Sequence, residues 1–535
     1  MFALAVSIST MIGTARATEY ARYQPATVDA PIVRPATRSC LVDLFVGKRF
    51  DTFRTRDISV GRYRPPTGCR GPWSAVVLRL ETRAKGVQYD RIGWLRFGKN
   101  EVLRFSTAEP TRHGIDYAIE KDITRYAPLL RSSQDVRVML GNVVDSVDDG
   151  VFVVSASLRF YEAGPREPAP PSADAILPVA DVRTDAGARD GAVPFVSARF
   201  AQLPQNIVHA TFDLFITNHG CDEAWYENQT DAFVRVHPHD DLCGGGAYRD
   251  IVVSIDGRPA SIVVPFPYIW TGGANPILWR PLSALHTLNV PAYAVDLDPW
   301  AGVLADGRAH TIAVRVPGSR GDWPAAGNLL LWTDHAIART GGALTVDTIA
   351  PRVAVRSWQG SARGLDRFGF AASRHWRVAG YVRTSHGRVM HEVDGDIRFS
   401  NAQVLDLATG LANASQQTRI VTTTTTRTAT TTHRSSVVTT YPLIVNITQP
   451  PPAKARPFGL VILAHVDQGD HRHGTGVDCD ARVVGTAVYK RRRPGNPSVA
   501  YGRTDERNVC RGGAHPFAIA RSAQDGRFVS PLPTK

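Results

Sequence analysis

Three acidic residues stand among neighbours that suit them to chemistry. Asp90 lies in the aromatic-acid-base triplet Tyr89-Asp90-Arg91, at the head of "DRIGWLRFGKNEVLRFSTAEPT", which closes on Glu109. Glu223 sits in "NHGCDEAWYENQ", where His219, Asp222, Trp225, Tyr226, Glu227 and Asn228 crowd one short stretch. Carboxylates working together hydrolyse a bond when their surroundings push their pKa values apart, so that one donates a proton and another takes one from water. The flat faces of Trp and Tyr suit sugar rings, and "YIWTGGANPILWRP" adds Trp270, Trp279 and Arg280. Plainer readings stand beside these. Asp90 and Arg91 are candidates for structural ion pairs, although adjacent strand residues face opposite ways and do not readily pair with each other. Glu109 precedes Pro110 and suits a turn, and each Trp suits a core. Glu120 and Asp122 fit the first turn of a helix, where acids favour the dipole. Asn228-Gln229-Thr230 also spells a glycosylation sequon.

The elements that must position these residues read as strands. "SAVVLRLET", "VRVMLGNVV" and "GVFVVSASLRFYE" are short, alternating and bounded by turn residues. One helix is expected in "AIEKDITRYAPLLRSS", and residues 38–165 form a first domain. Residues 166–180, rich in Pro and Ala, read as a linker. A second strand-dense block follows at 181–345, with a tight hairpin at "SIDGRPA". A third, 346–535, contains "IVTTTTTRTATTTHRSSVVTT", whose β-branched run favours strand. The fold class is therefore all-β: two adjacent β-sandwiches or jelly rolls and a C-terminal β-rich domain.

At 535 residues the chain exceeds one core. Residues 1–17 read as a signal peptide, with an apolar stretch before Ala15-Arg16-Ala17, and no other segment is long and apolar enough for a membrane span. Six cysteines in an exported chain fall into three local pairs, Cys40–Cys69, Cys221–Cys243 and Cys479–Cys510. None has CxxC spacing, so disulfides are expected and no metal site. The net charge of +13 comes with no nucleic-acid-binding motif, because Arg is scattered and only "KRRRP" at 490–494 is compact. The expected product is secreted or periplasmic and monomeric, with no nucleic-acid partner.

"GPWSAVVLRLETRAKGVQYDRIGWLRFGKNEVLRFSTAEPT", "EKDITRYAPLLRSSQDVRVMLGNVVDSVDDGVFVVSASLRFY", "NHGCDEAWYENQ", "YRDIVVSIDGRPASIVVPFPYIWTGGANPILWRP" and "GNLLLWTDH" occur in this order over residues 38–345. Together they resemble the peptide-N4-(N-acetyl-β-glucosaminyl)asparagine amidase A family. The resemblance implies hydrolysis of the amide between the innermost N-acetylglucosamine and Asn of N-glycosylated peptides or glycoproteins. It also implies tolerance of core fucose, activity at acidic pH and no cofactor. More distant bacterial amidases of the F type, built from two adjacent jelly rolls, carry an essential Asp in an aromatic-Asp-Arg triplet, which matches Asp90. Their important Glu follows Gly-Cys by two positions and precedes Trp; Glu223 matches, with Ala224 intervening before Trp225. Where those enzymes carry a third acid this chain has Asn142, and its next acid is Asp145. The resemblance thus marks Asp90 and Glu223 as catalytic, and the residues beside them add Glu109. Tyr89, Arg91, His219, Asp222, Trp225, Tyr226, Glu227, Asn228, Trp270 and Trp279 are expected on the substrate. A carbohydrate-binding sandwich and an endo-acting glycosidase with two carboxylates are the alternatives.

Overall fold

Residues of Val151–Glu162 alternate between buried and partly exposed, the period of a strand with one wet face. Eight strands build this first block: β1 (Ser39–Phe50), β2 (Ile58–Tyr63), β3 (Trp73–Lys85), β4 (Ile92–Phe97), β5 (Asn100–Ser106), β6 (Ile115–Asp122), β7 (Gln134–Leu140) and β8 (Val151–Glu162). The computed structural model describes residues 22–51, 57–179, 195–456, 458–491, 497–513 and 515–531. The expected signal peptide lies outside the described residues. Two sheets stack face to face, β1-β8-β3-β6 against β5-β4-β7-β2. Leu78, Leu80, Phe152, Leu158 and Phe160 meet Leu95, Phe97, Leu103, Phe105 and Val138 between them. Gly93 in β4 is required by this packing, because a Cβ there would lie 2.3 Å from Cζ of Phe105.

The second block forms β9 (Ala175–Val179), β10 (Val196–Phe200), β11 (Ile207–Ile216), β12 (Ile251–Ile255), β13 (Arg258–Val263), β14 (Asn289–Val290), β15 (Tyr293–Asp296), β16 (His310–Arg315) and β17 (Ala325–Thr333). They make the sheets β10-β16-β12-β13 and β15-β11-β17-β9, while β14 crosses to pair with β5 of the first block. The tight turn falls at Asp256-Gly257, both with positive φ, as the sequence predicts. The segment read as a linker differs from that reading: its last residues form β9 on β17, because Ile176 and Val179 bury themselves there. The helix also differs. Ile115–Asp122 is strand paired to β3, and only Thr124–Arg131 turns, as a 3-10 helix. Glu120 and Asp122 are therefore strand residues, and the Asp122 carboxylate accepts the Thr124 N–H at 2.8 Å just before the turn.

The rest of the chain is one eleven-stranded antiparallel sheet between Gly341 and Pro531. The Thr-rich run supplies two of its arms, Leu411–Arg427 and Thr432–Thr448, paired across a turn at 428–431. This sheet shares a core with the second block, where Phe233, Tyr248 and Phe266 meet Phe368, Phe399 and Tyr441. Disulfides link Cys40 to Cys69, Cys221 to Cys243 and Cys479 to Cys510.

Polar groups lock the first two blocks together. Glu101 is fully buried and receives Arg104 at 2.7 Å and Arg96 at 2.9 Å, while its carbonyl accepts the Asn328 side chain of β17 at 2.6 Å. Arg104 also donates to the Pro324 carbonyl, and Tyr126 donates to Asp213 at 2.6 Å. Burial alone would raise the Glu101 pKa, but the two guanidinium groups overcome it and hold the carboxyl below its usual range. Removing one partner of a buried ion pair costs about 3–5 kcal/mol. E101Q should therefore lower the unfolding free energy by about that amount, read by urea denaturation. A loss below about 1 kcal/mol would show that the triad is not a stabilising joint.

Candidate active site

The hairpin β4–β5 brings two of the acids to one place. Ile92 pairs with Ser106, so Asp90 and Arg91 just before β4 lie beside Thr107 and Glu109 just after β5. The Arg91 N–H donates to Oγ1 of Thr107 at 2.9 Å, and the Thr107 N–H to the Arg91 carbonyl at 2.9 Å, which staples the two loops. The second block closes over this end. Thr271 Oγ1 donates to the Thr107 carbonyl at 2.8 Å. Glu109 packs on Gly272, whose φ is +90°; a Cβ there would lie 2.2 Å from its Oε1. Arg280 stands 3.6 Å from Glu109 Oε2, and the Tyr23 hydroxyl donates to the Glu109 carbonyl at 2.7 Å.

Glu223 arrives from the other side. It follows a 3-10 turn, Gly220–Asp222, after β11. Asn218 holds this turn, its amide donating to the carbonyls of Asp222 at 2.9 Å and Glu223 at 2.7 Å. The Glu223 side chain reaches solvent, yet partial burial of its carboxyl raises the pKa. Asp90 is half-buried, and its pKa is pushed well above the ordinary value, first by burial and then by the charges of Glu109 and Glu223. Asp90 therefore feels both other carboxyls at a seam between the blocks. Asn142, at the position of the third acid, is buried and donates to the carbonyls of Phe50 and Gly150. Asp145 is near enough to Arg91 to feel its charge.

The other expected site residues divide. Tyr89 is 59% exposed at the lip, and Arg91 is half-buried with its guanidinium donating to Gln88 Oε1. His219 stacks on Trp270 at 5.9 Å, and burial lowers its pKa to about 4, so it is neutral at physiological pH. Asp222, expected on substrate, is instead a buried anchor. Its oxygens accept Arg249 at 2.6 Å, Trp323 Nε1 at 2.7 Å, the Arg320 N–H at 3.0 Å and Asn228 at 3.1 Å. Asn228 is committed to that anchor. Trp225, Tyr226, Trp270 and Trp279 are at most 4% exposed, so their faces pack the core rather than a groove. Glu227 lies behind the loop, where burial raises its carboxyl to about 7. Tyr23, Asn218, Arg249 and Gly272 escape sequence reasoning. Only the paired glycines of "WTGG" hint at a close approach.

Burial alone would raise the Asp222 pKa, but Arg249, Trp323 and the Arg320 N–H overcome it and hold it below the usual range. The stabilisation is therefore full above about pH 4 and is lost as pH falls through the folded value. D222N should cost about 3–5 kcal/mol at neutral pH, with the gap to the parent narrowing in acid. Glu227 has the opposite sign. Its stabilisation is full below about pH 4 and fades as pH rises towards 7. E227Q should therefore flatten the decline of stability across that window, measured by denaturation at several pH values. An unchanged slope would mean that Glu227 ionises without cost.

Comparison with known proteins covers the segment that builds this seam. The family model "Peptide N-acetyl-beta-D-glucosaminyl asparaginase amidase A" matches residues 35–349. The "Peptide-N4-(N-acetyl-beta-glucosaminyl)asparagine amidase A" of Prunus dulcis is 32% identical over 398 residues, covering 71% of this chain and 69% of the relative. Among solved structures, PNGF-II is 16% identical at a TM-score of 0.41, over 56% of this chain and 66% of its own, just under two thirds. PNGase F from Flavobacterium meningosepticum, called a glycosylasparaginase, is 15% identical at a TM-score of 0.36, over 55% and 96%. The assignment rests on the family match, which spans the strands and loops that carry Asp90, Glu109 and Glu223, and on the Prunus relative. The chain belongs to the peptide N-acetyl-β-D-glucosaminyl asparaginase amidase A family.

Proposed function

We infer that this chain is a peptide-N4-(N-acetyl-β-glucosaminyl)asparagine amidase whose catalytic centre is the cluster of Asp90, Glu109 and Glu223. Family membership gives the activity, and one observation carries the site. Three carboxyls from two blocks converge at a solvent-reaching seam, and Asp90 has its pKa raised first by burial and then by the other two. Crowded like charges cannot all ionise, so the cluster retains a proton while offering a carboxylate.

In this reading Asp90 keeps the proton. Water attacks the side-chain amide carbon of the glycosylated Asn, and Glu223 takes a proton from that water. Asp90 gives its proton to the amide nitrogen as the C–N bond breaks. The glycosylamine leaves with the intact glycan and later loses ammonia, and Asp remains in the peptide. Arg91 lies beside Asp90, suited to offset the developing oxyanion. Glu109, held by Arg280 and Gly272, keeps Asp90 protonated. Tyr89 and His219 line the approach of the sugar.

The strand orders β1-β8-β3-β6 and β2-β7-β4-β5 support a jelly roll for the first sandwich. A second jelly roll over 181–345 and a C-terminal domain from 346 complete the proposed division. Three disulfides support maturation in an oxidising compartment, hence a secreted or periplasmic enzyme acting as a monomer on N-glycosylated peptides or glycoproteins.

The test is incubation with an N-glycopeptide across pH, with and without core fucose, and mass spectrometry of the peptide. Asp at the former Asn is the expected product from both substrates. Peptide retaining one N-acetylglucosamine would mean a glycosidase, and bound but intact glycopeptide a carbohydrate-binding protein. D90N and E223Q should each lower kcat/KM by about 10²–10⁴-fold. Activity should fall as pH rises through the elevated Asp90 value and also as Glu223 protonates in acid, giving a bell on the acid side. D90N should remove the alkaline limb, and its persistence there would assign the proton to another group.

A further inference from the structure

Beside the seam lies a groove that the amidase reading leaves unused. It holds about 370 Å³ on the outer face of the first sandwich. Arg22, Arg49, Arg83, Lys85 and His113 surround a floor that includes Ile115, Val151 and Val153, and all five basic residues are exposed. The sheet register explains the cluster. Arg49 pairs with Val153, Val153 with Arg83, and Arg83 with Asp116, so one row across four strands carries two guanidinium groups, with Lys85 on Val151 in the next row but one. Counter-charge is sparse. Arg22 pairs with Asp116, and Arg49 lies 3.9 Å from Asp51. Among the described residues, Arg83, Lys85 and His113 have no carboxylate within ion-pair distance.

The groove is joined to the carboxylate cluster by the chain itself. Lys85 ends β3, and the loop after it carries Asp90; His113 ends the loop that carries Glu109. Arg22 lines the groove, and the next residue, Tyr23, donates to the Glu109 carbonyl. Four and five residues separate the basic side chains from the acids, at most about 14–18 Å of extended chain. A peptide running out from a glycosylated Asn covers that span in four or five residues.

We propose that this groove is a substrate subsite for acidic side chains, Asp or Glu, lying about three to five residues from the glycosylated Asn. This rests on the amidase reading of the adjoining site. The charge is complementary to carboxylates, and the apolar floor suits the peptide between them. The groove lining contains no Trp, Tyr or Phe, the faces on which sugar rings stack, so the peptide rather than the glycan is the occupant. Cations on an open face recognise by attraction over a short range, and salt should screen them within a length of about 10 Å at 0.1 M.

The test compares kcat/KM for two glycopeptides with the same neutral glycan, one with Glu at those positions and one with Gln. Two or three exposed contacts of this kind multiply to a preference of about five- to twentyfold for the acidic peptide at low salt. The preference should shrink towards one in 0.5 M salt and in R83Q/K85Q, and return in R83K/K85R. The ratio between two substrates is independent of the folded fraction of any variant. Equal values for the two peptides at low salt, with both cleaved, would overturn the subsite and leave the amidase standing. A preference that survives in R83Q/K85Q would also overturn it. A third glycopeptide with a neutral peptide and a sialylated glycan checks the other source of carboxylates. A preference for that substrate alone, lost in R83Q/K85Q, would reassign the groove to the glycan and overturn the proposal. Cleavage of none of the three would refute the amidase reading and, with it, the subsite.

Discussion

The charges of Glu109 and Glu223 beside half-buried Asp90 are the constraint around which the first two blocks are arranged. Like charges at a partly buried seam disfavour one another's ionised forms, and the effect grows as water is excluded. The fold opposes this at each point. Arg280 compensates Glu109, and backbone and hydroxyl bonds between Arg91, Thr107 and Thr271 tie the loops from both blocks. Glu101 with Arg96 and Arg104 fixes the β5 side, and Asp222 with Arg249 fixes the loop that carries Glu223. Both anchors are buried ion pairs, which contribute little beyond an apolar equivalent but are strongly destabilising when half is removed. Their value here is in geometry: each pins a loop that carries a repelling charge.

The C-terminal sheet contributes to the same end from behind. Asn401 and Gln403 donate to the carbonyls of Tyr226 and Asn228, Gln468 bonds both the Leu285 N–H and the Pro267 carbonyl, and Asn275 donates to the Ile462 carbonyl. Thr504 donates to the Leu278 carbonyl at 2.7 Å. These bonds satisfy backbone groups of irregular loops, which would otherwise be buried without partners. The loops of residues 226–229 and 267–288 can therefore be irregular and still be rigid. The matched family segment ends at residue 349, yet its site loops lean on side chains far beyond it.

Strand-rich character was legible because alternation and turn chemistry are local. Val151–Glu162 and the Asp256-Gly257 turn follow from period and φ alone. Asp90 and Glu109 were also within reach, since a hairpin places the residues before its first strand beside those after its second. Glu223 needed the resemblance, because nothing local says which loop of a second block faces the first. The aromatic residues misled for a physical reason. A Trp beside acids looks the same in sequence whether its face meets sugar or core, and only the packing of β11, the 218–230 loop and the C-terminal sheet decides. Asp222 and Glu223 are adjacent acids with opposite fates, because the 3-10 turn aims one at Arg249 and the other at the seam.

That division narrows how the seam can recognise a sugar. Trp225, Trp270 and Trp279 are spent on the core, and His219 lies flat against Trp270. The ring left exposed beside Asp90 is Tyr89, with Val87 and Val143 also exposed along the same rim. A tyrosine held by a loop that is itself stapled to β5 offers an apolar face at small entropic cost, with two torsions to fix. Under the proposed mechanism, any stacking on the innermost sugar then occurs next to the group assigned to protonate the amide. That mechanism puts recognition and proton transfer on neighbouring residues of one loop, so a change that loosens the loop should impair both together rather than either alone.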